Sequence, residues 1–539
     1  MTPPRPADVP RALLLCALLT LSCARRPVGC GARCSTVVIA ATSEPASVLP
    51  PLAVESVARD IGDFVYERLA TLAPGGAPVD PAQFRPGLAV RWERVDSTGW
   101  RFHLRPGARW QDGIPLTADD VVFSFDAFAD SLLDAPARPY LAHRLSATAE
   151  GPGTVLVRAP APSPELLYDA TFHVRILPKH IWAGIPRGRW AAEATPARLI
   201  GSGAYRVIAW VRGQSLTLAA DTAARMAIRR IVWRFTSDPD AALNLVLSHE
   251  ADLLEAIAPP DAIARVERDT ALRAMPYASA AYGFLAFNLA GRPNAPPTPL
   301  AEPAVRRALV LATDRPAVAH ALLGPGTKAP PGPMSQLLWI WSDDIRTLPY
   351  DPGQARLTLE RAGWRAGPDG IRRKGGTPLA FELLAPATSG TRRRLVELLQ
   401  ETWRRELGVA ATVRVVDFAV FQQLLGARRF DAYAGSYLDE PSPRGLAEQW
   451  TKVGWAALNY GRYANPVFDS LFARAARAPV TEARRLYREA MDTLNADAPA
   501  IFLFAPTSTA AVARRLTGVR FDPYEWLAEL PNWNVDSLR

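Results

Sequence analysis

Residues 101–128, RFHLRPGARWQDGIPLTADDVVFSFDAF, combine a strand pattern, a turn and a capped helix in one short stretch. Phe102 and Leu104 alternate with polar residues, which predicts a strand with one buried face. Asp112-Gly113 is a favoured turn sequence. Thr117, with an acidic residue three positions later, predicts the first turn of a helix. The unit therefore predicts a strand, a turn and a helix, and gives its aspartates turn and capping roles rather than catalytic ones.

The rest of the chain alternates irregularly between strand-like and helix-like patterns, which favours mixed α/β architecture. No repeat of about 20–50 residues is evident. After residue 23, no apolar run approaches the roughly 18 residues that a membrane span requires. Strands are predicted over 35–41, 154–160 and 410–418, two strands joined by a turn over 203–220, and helices over 54–70, 304–324 and 391–409.

The N-terminus carries an export signal. Two arginines precede an apolar run over residues 12–21, followed by Ser22 and Cys23. The run is too short to cross a bilayer and fits the apolar region of a secretory signal. A small residue followed by cysteine resembles a bacterial lipoprotein signal. We predict a signal peptide over residues 1–22, lipidation of Cys23 and a lipid-anchored tether over 23–35, with Cys30 as the alternative lipidation site.

The body of the chain lacks the groups that several enzyme classes require. All four cysteines lie within the first 34 residues, so no disulfide, thiolate nucleophile or cysteine metal site is expected beyond them. Motifs of serine hydrolases, zinc proteases and phosphate-binding loops are not found. The net charge of +9 comes without long runs of like charge or a nucleic-acid-binding motif. We predict a protein that is not an enzyme and takes no cofactor, metal or nucleic acid.

The 102–128 segment resembles the signature of the solute-binding proteins of peptide and nickel ABC importers, the dipeptide/oligopeptide-binding family (family 5). Further blocks follow in the family's order and extend the resemblance over about residues 36–525. These blocks are LIGSGAYRVIAW (199–210), AYGFLAFNLA (281–290), EPAVRRALVLATDR (302–315), YDPGQARLTLERAGW (350–364) and NYGRYANPVFDSLFARA (459–475).

The resemblance implies a two-lobed, periplasmic-binding-protein-like α/β fold of type II, in the three-domain peptide-binding variant. The ligand cleft then lies between the lobes, and crossing strands near YGFLAFN and residue 500 join them. The implied domains are domain I over 36–70, 197–283 and 500–539, the accessory domain II over 71–196, and domain III over 284–499.

The resemblance also implies the function, which is the substrate-binding component of an ABC importer. Such a protein captures peptides or a related small solute outside the cytoplasmic membrane by closing its lobes, and delivers the solute to a permease. The expected partners are that solute, the permease subunits and the lipid anchor, and the chain is expected to be a monomer. A secreted hydrolase and a ligand-sensing lipoprotein on the same fold are the alternatives.

The family grips the peptide main chain and pairs an aspartate with the ligand's α-ammonium group. The matching block here is AYAGSYLDEPSP (432–443), which points to Asp439 as the amine partner, whereas capping of a turn is its structural alternative. For the aromatic candidates, core packing is the alternative. The further ligand-binding candidates are Tyr437, Glu44, Ser43, Tyr282, Phe284 and Asn459.

Overall fold

The computed structural model describes residues 35–136, 145–221, 226–257, 260–324 and 327–536. The predicted signal peptide, Cys23, Cys30 and the tether as far as residue 34 lie outside the described residues. Within the described ranges, no helix is long and apolar enough to cross a membrane.

Strands and helices alternate along the chain, as the sequence patterns predict. The strands are β1 (Thr36–Ala41), β2 (Ala70–Leu72), β3 (Phe84–Pro86), β4 (Ala89–Asp96), β5 (Gly99–Leu104), β6 (Ser146–Gly151), β7 (Thr154–Arg158), β8 (Tyr205–Val211), β9 (Ser215–Ala220), β10 (Arg230–Phe235), β11 (Leu253–Leu254), β12 (Leu272–Ala278), β13 (Ala281–Phe287), β14 (Arg365–Ala366), β15 (Arg372–Lys374), β16 (Thr377–Pro378), β17 (Ala380–Pro386), β18 (Ala410–Val416), β19 (Ala432–Leu438), β20 (Ala500–Phe504), β21 (Thr507–Ala513), β22 (Leu516–Thr517) and β23 (Asn534–Val535). The α-helices are α1 (Ser56–Val65), α2 (Ala118–Ala129), α3 (Leu166–Phe172), α4 (Lys179–Trp182), α5 (Trp190–Glu193), α6 (Pro239–Leu247), α7 (Pro260–Arg268), α8 (Pro303–Leu311), α9 (Arg315–Leu323), α10 (Pro352–Arg361), α11 (Gly390–Leu407), α12 (Phe418–Gly426), α13 (Gly445–Trp450), α14 (Pro466–Ala475) and α15 (Val480–Asp497).

Lobe one contains a seven-stranded sheet in the order β12-β21-β11-β1-β10-β9-β8 and a four-stranded sheet in the order β4-β5-β7-β6. In the larger sheet, β1 runs parallel to β10 and β11, and the other pairs are antiparallel. A continuous cluster of buried apolar side chains extends from the larger sheet through α1 to the smaller one. The two sheets of lobe one therefore share a hydrophobic core.

The strand–turn–helix prediction for residues 101–128 is confirmed by β5 and α2. Phe102 and Leu104 are buried on one face of β5. The Thr117 N–H donates to Asp120 Oδ2 at 2.9 Å at the start of α2. Asp112 Oδ1 accepts the Ile114 N–H at 3.1 Å within the turn. These contacts give the two aspartates the structural roles that their spacing predicts.

Lobe two is built on a five-stranded sheet in the order β18-β17-β19-β13-β20, with a buried apolar cluster on each side. The parallel pairs are β17 with β18 and β17 with β19, whereas β13 is antiparallel to β19 and β20. The predicted helix over 391–409 is observed as α11. It ends where Gly408 adopts the left-handed conformation, with φ 67°.

Two short chain segments connect the lobes. Strand β12 of the seven-stranded sheet continues through residues 279–280 into β13 of the five-stranded sheet, and β20 returns through residues 505–506 into β21. Residues 281–283 and 500–504, which the sequence analysis placed in domain I, hydrogen-bond within the five-stranded sheet. The boundaries of the three domains stay a prediction.

Two predicted helices differ from the observed ones. The helix predicted over 54–70 is observed only over Ser56–Val65, because Tyr66 is extended and leads the chain toward β2. The single helix predicted over 304–324 is two helices, α8 and α9. Asp314 caps the second by accepting the Ala317 N–H at 3.0 Å, and a proline in its first turn has no N–H to continue the first.

Candidate functional site

A cavity of about 420 Å³ lies between the lobes. Lobe one supplies α1, the residues after α3, Glu255, Tyr277 of β12 and the C-terminal segment 523–526. Lobe two supplies residues 438–441, at and just after the end of β19. The volume falls in the range of roughly 300–1,000 Å³ that is typical of small-molecule sites.

Asp439 enters the cavity from lobe two, beside the crossing segments. Its N–H donates to Ala280 O at 2.8 Å in the first crossing segment, and its Oδ2 accepts the Ser335 N–H at 2.9 Å. The residue is only 7% exposed. Burial raises the pKa of Asp439 to about 8, against the opposing effect of the hydrogen bond from Ser335. A positively charged ligand group at this carboxylate would remove the cost of its ionisation.

Further carboxylates line the cavity, and the one lining arginine whose charge reaches Asp60 and Glu440, Arg59, is itself exposed. Asp60 of α1 accepts a hydrogen bond from Trp526 Nε1 at its Oδ2, at 2.8 Å. Burial, and then the charge of Glu255, raise the pKa of Asp60 well above its usual value. Burial likewise raises the pKa values of Glu255 and of Glu440, which follows Asp439. The cavity is therefore suited to positive charge.

A buried ion cluster forms the floor of the cavity in lobe one. Arg68 donates to both oxygens of Asp63 at 3.0 Å and also pairs with Glu525. Arg175 holds the same Asp63 in a second bidentate contact, at 2.7 and 3.0 Å. Burial alone would raise the pKa of Asp63, but Arg175 and Arg68 hold it below its usual value. The charges of this cluster therefore pair with one another within lobe one.

Neutral and apolar groups complete the walls. The aromatic side chains are Phe128, Phe172, Tyr277, Tyr524 and Trp526. The hydroxyl of Tyr524 is buried and has no hydrogen-bond partner within the described residues. Leu438 is 65% exposed and turns its side chain to this space. His173 adds no charge, because burial, together with nearby arginines, lowers its pKa to about 3.

Three aromatic candidates from the sequence lie next to one another but do not line the cavity. Tyr282 is fully buried and accepts a hydrogen bond from Trp450 Nε1 at 3.0 Å. Phe284 is also fully buried, and its ring centroid lies 5.1 Å from that of Tyr437. The Tyr437 hydroxyl donates to Leu458 O at 3.1 Å. Their ligand roles stay predictions, and the contacts observed are those of core packing.

The polar candidates also lie outside the cavity lining. Glu44 accepts from Trp210 Nε1 and from the Gly213 N–H, each at 2.8 Å, and thereby ties its loop to the β8–β9 turn. Ser43, next to it, is exposed. Asn459 donates to Thr451 O at 2.8 Å and shapes a loop of lobe two. Of the predicted set, Asp439 alone lines the cavity.

The sequence analysis did not select Asp60, Glu255, Glu440 or Tyr524. Asp60 lies beside the charged Arg59 and three residues before Asp63 of α1, so nothing local marks it as a site residue. Glu440 directly follows Asp439 in the matched block. Glu255 and Tyr524 have no local signal, since chain folding alone brings them to the cavity. Among the described residues, no group of three or more His, Cys, Asp or Glu is placed to hold a metal ion.

Two solved structures share this fold over most of their length. The ABC transporter substrate binding protein CtaP from Listeria monocytogenes has a TM-score of 0.80 and 21% identity, with 93% of this chain and 99% of that chain covered. NikZ from Campylobacter jejuni, solved in complex with Ni(L-His), has a TM-score of 0.77 and 22% identity, with the same coverage of 93% and 99%. These likenesses establish the two-lobed fold with its cleft between the lobes.

Sequence comparison gives the family. The periplasmic oligopeptide-binding protein OppA of Salmonella typhimurium is 25% identical over 451 residues, which is 76% of this chain and 77% of that protein. The model of the bacterial extracellular solute-binding proteins, family 5 middle, matches residues 83–456. This match spans well over half of the chain and includes the 102–128 signature. The chain therefore belongs to the bacterial extracellular solute-binding proteins of family 5.

Proposed function

We propose that this chain captures a peptide or a related small solute that carries a protonated amine, and that Asp439 binds the amine. As a member of family 5, the chain is the substrate-binding component of an ABC importer. The observation that carries the proposal is Asp439 itself, a buried carboxylate that opens into the interlobe cavity with no cation beside it.

The lobes supply a mechanism of capture without chemical change of the solute. The cavity is lined from both sides, so a ligand makes its full set of contacts only when the lobes are closed. It then stabilises the closed form by its differential affinity for that form. The crossing segments 279–280 and 505–506 are the proposed hinge, because few residues need to absorb the change in backbone angles. The division into domains I, II and III belongs to this proposal.

The relatives support a solute of this kind. OppA is named for oligopeptides, and NikZ was solved with a nickel–histidine complex. A peptide carries a free amino terminus, and this group is protonated at neutral pH. We infer that the closed form delivers such a solute to a permease.

The proposal places the protein outside the cytoplasmic membrane as a lipid-anchored monomer. Its support is the apolar run that ends at Ser22-Cys23, together with the relatives' periplasmic names. A single acyl chain would hold it only weakly, so an anchor with more than one chain is expected. The test compares Cys23→Ser with Cys30→Ser in cells. Cys23→Ser should move the protein from the membrane to the soluble fraction, whereas retention of Cys23→Ser in the membrane would contradict the anchor.

The ligand proposal is tested on the protein as purified. Native mass spectrometry should detect a bound solute, and denaturation should release an amine-bearing molecule intact. The Asp439→Asn variant should carry much less of it. Release of a cleaved product, or turnover of added peptides, would favour a secreted hydrolase instead. A bound solute without an amine would overturn the proposed role of Asp439.

A further inference from the structure

We propose that the ligand is a small organic dication, whose two positive groups are separated by an apolar body. One positive group binds at Asp439 and Glu440 of lobe two, and the second binds at Asp60 and Glu255 of lobe one. This inference rests on the proposed function and names the ligand class of the same cavity.

The charges lining the cavity are unbalanced. The lining contains six carboxylates and two arginines, Arg59 and Arg175. Arg175, together with Arg68 behind it, is engaged with Asp63 and Glu525, as described above. This leaves four carboxylates with the exposed Arg59 as their one cation among the described lining residues. An ammonium group at the carboxylates of one lobe leaves those of the other lobe without a cation, whereas a dication reaches both.

The four carboxylates come in two pairs, one from each lobe, and each pair is one pole of the cavity. Asp60 and Glu255 belong to lobe one and lie close enough for the charge of Glu255 to act on Asp60. The hydrogen bond from Trp526 Nε1 fixes the Asp60 carboxylate at the wall. Asp439 and Glu440 belong to the loop that follows β19 in lobe two, where the main chain of Ser335 holds Asp439. Closure therefore brings two acidic poles to one cavity.

Closure opposes ionisation of these carboxylates. Burial raises the pKa values of all four, so the ligand-free cavity favours their neutral, protonated forms. A dication that spans the cavity pairs with both poles and allows both to ionise, whereas a monocation leaves one pole unpaired. The arrangement therefore favours closure on a dication over closure on a monocation.

The space between the poles suits an apolar spacer. Tyr277 and Tyr524 offer ring surface near lobe one, and the exposed side chain of Leu438 extends from lobe two. Aromatic faces also attract cations within about 6 Å of the ring centre. The buried, unpartnered Tyr524 hydroxyl adds a polar group for the body of the ligand. A basic peptide and an alkyl diamine both meet this description.

The experiment uses isothermal titration of the unliganded full protein with two matched peptides. Ala-Lys-amide carries two positive charges, and Ala-norleucine-amide has the same main chain with one. The wild type should bind the lysine peptide at least about tenfold more tightly, a ratio in keeping with one additional charge-assisted hydrogen bond. Pentane-1,5-diamine against pentylamine repeats the comparison without a peptide main chain.

Variants separate the two poles. Asp60→Asn combined with Glu255→Gln should remove the preference for the lysine peptide while keeping the affinity for the norleucine peptide. Glu255→Gln alone should reduce the preference and serves if the double variant folds poorly. Glu397→Gln, which removes one exposed carboxylate outside the cavity, should change neither affinity.

The outcomes distinguish this inference from the proposed function. Equal affinity of the wild type for both peptides would overturn the second pole and leave the role of Asp439 standing. A preference that survives the double variant would overturn the assignment to Asp60 and Glu255. A co-purified ligand that is neutral or anionic would overturn both the dication and the proposed amine partner.

Discussion

Trp339 Nε1 donates a hydrogen bond to Glu165 Oε1 at 2.6 Å and joins lobe two to the residue before α3 of lobe one. The other oxygen of this carboxylate accepts from Ser442 Oγ, also at 2.6 Å. Arg444 pairs with Asp169, one turn further along α3. All five side chains are largely buried, and none of them lines the cavity. These contacts therefore join the two lobes at a place separate from the cavity.

Arg444→Met should shift the ligand-free protein toward an open form. The change removes the arginine that pairs with Asp169 and Glu165, and breaking one partner of a buried pair costs about 3–5 kcal/mol. That cost falls on the closed form, since the lobes must part to hydrate the two carboxylates. Small-angle X-ray scattering should show a larger radius of gyration than that of the wild type. Saturating ligand should return the radius to the wild-type value.

Arg346→Met is the matched control for Arg444→Met. Arg346 pairs with Asp492 at 2.9 Å, but its side chain is 83% exposed. Exposed pairs contribute no more than about 1 kcal/mol, so the scattering profile should stay as in the wild type. Identical profiles for Arg444→Met and the wild type would show that the contact does not hold the lobes.

Asp439→Asn should stabilise the ligand-free protein while it weakens binding. The pKa of Asp439 is about 8 in the folded protein, above its value in the unfolded chain. The folded protein therefore retains a proton that the unfolded chain has lost, between about pH 4 and pH 8. The contribution of Asp439 to stability is fully present below about pH 4 and is lost as the pH rises to 8. An amide does not ionise, so at pH 8 the free energy of unfolding of the variant should exceed that of the wild type by about 2 kcal/mol. Denaturant unfolding measures this difference.

The variant Asp344→Asn provides the comparison, because that carboxylate is 80% exposed. Its unfolding free energy should follow the wild type at both pH 5 and pH 8. If Asp439→Asn showed the same pH slope as the wild type, Asp439 would not be the group that retains the proton.

Cation binding should release a proton at neutral pH. Empty Asp439 is protonated below about pH 8, and an ammonium ligand requires the carboxylate form. The affinity for an amine should therefore rise with pH, by at most about tenfold per unit for one linked group. Titration calorimetry between about pH 5 and 7, where an α-amine stays protonated, checks this in two buffers of different ionisation enthalpy. Identical heats in both buffers would contradict the linkage.

Gly201→Ala should destabilise lobe one. A Cβ at Gly201 would lie 1.8 Å from Val65 O, so the loop that precedes β8 and the end of α1 would have to separate. Overpacking of this kind costs about 1–3 kcal/mol or more, which thermal unfolding measures. Gly184→Ala is the control, because nothing lies within 4 Å of its added Cβ. Equal melting temperatures for the two variants would show that the close approach at Gly201 is relaxed in solution.

Local signals in the sequence predict elements, whereas the site depends on contacts between distant residues. The pattern of Phe102, Leu104 and Thr117 is short-range, and β5 and α2 follow it. Residues 304–324 have apolar spacing suited to one helix but form two. Asp314 caps the second helix, and the proline in the first turn of that helix cannot continue the first. Asp60 on α1 and Glu255 after β11 come to one cavity through the packing of lobe one, and no pattern within either segment predicts this.

Of the ligand-binding candidates predicted from the sequence, only Asp439 lines the cavity. Asp439 was selected from a block that resembles the family, and in the structure it directly follows β19. Tyr282 and Phe284 lie beside the crossing segment in sequence, but side chains alternate between the faces of a strand and the apolar body of an aromatic suits either face. Whether such a ring packs in the core or contacts a ligand depends on its burial. Burial is decided by the packed fold and not by the local sequence.

The strand order of the two sheets gives the chain a nested layout. Ala278 of β12 and Thr507 of β21 are direct partners in the seven-stranded sheet, although 279–506 lie between them. A two-residue turn could join these partners as an ordinary hairpin. Lobe two is in this sense one uninterrupted insert at the tip of a hairpin that lobe one already contains, with entry and exit side by side. Gene-level grafting of another lobe at this position would leave the strand order of the host sheet unchanged.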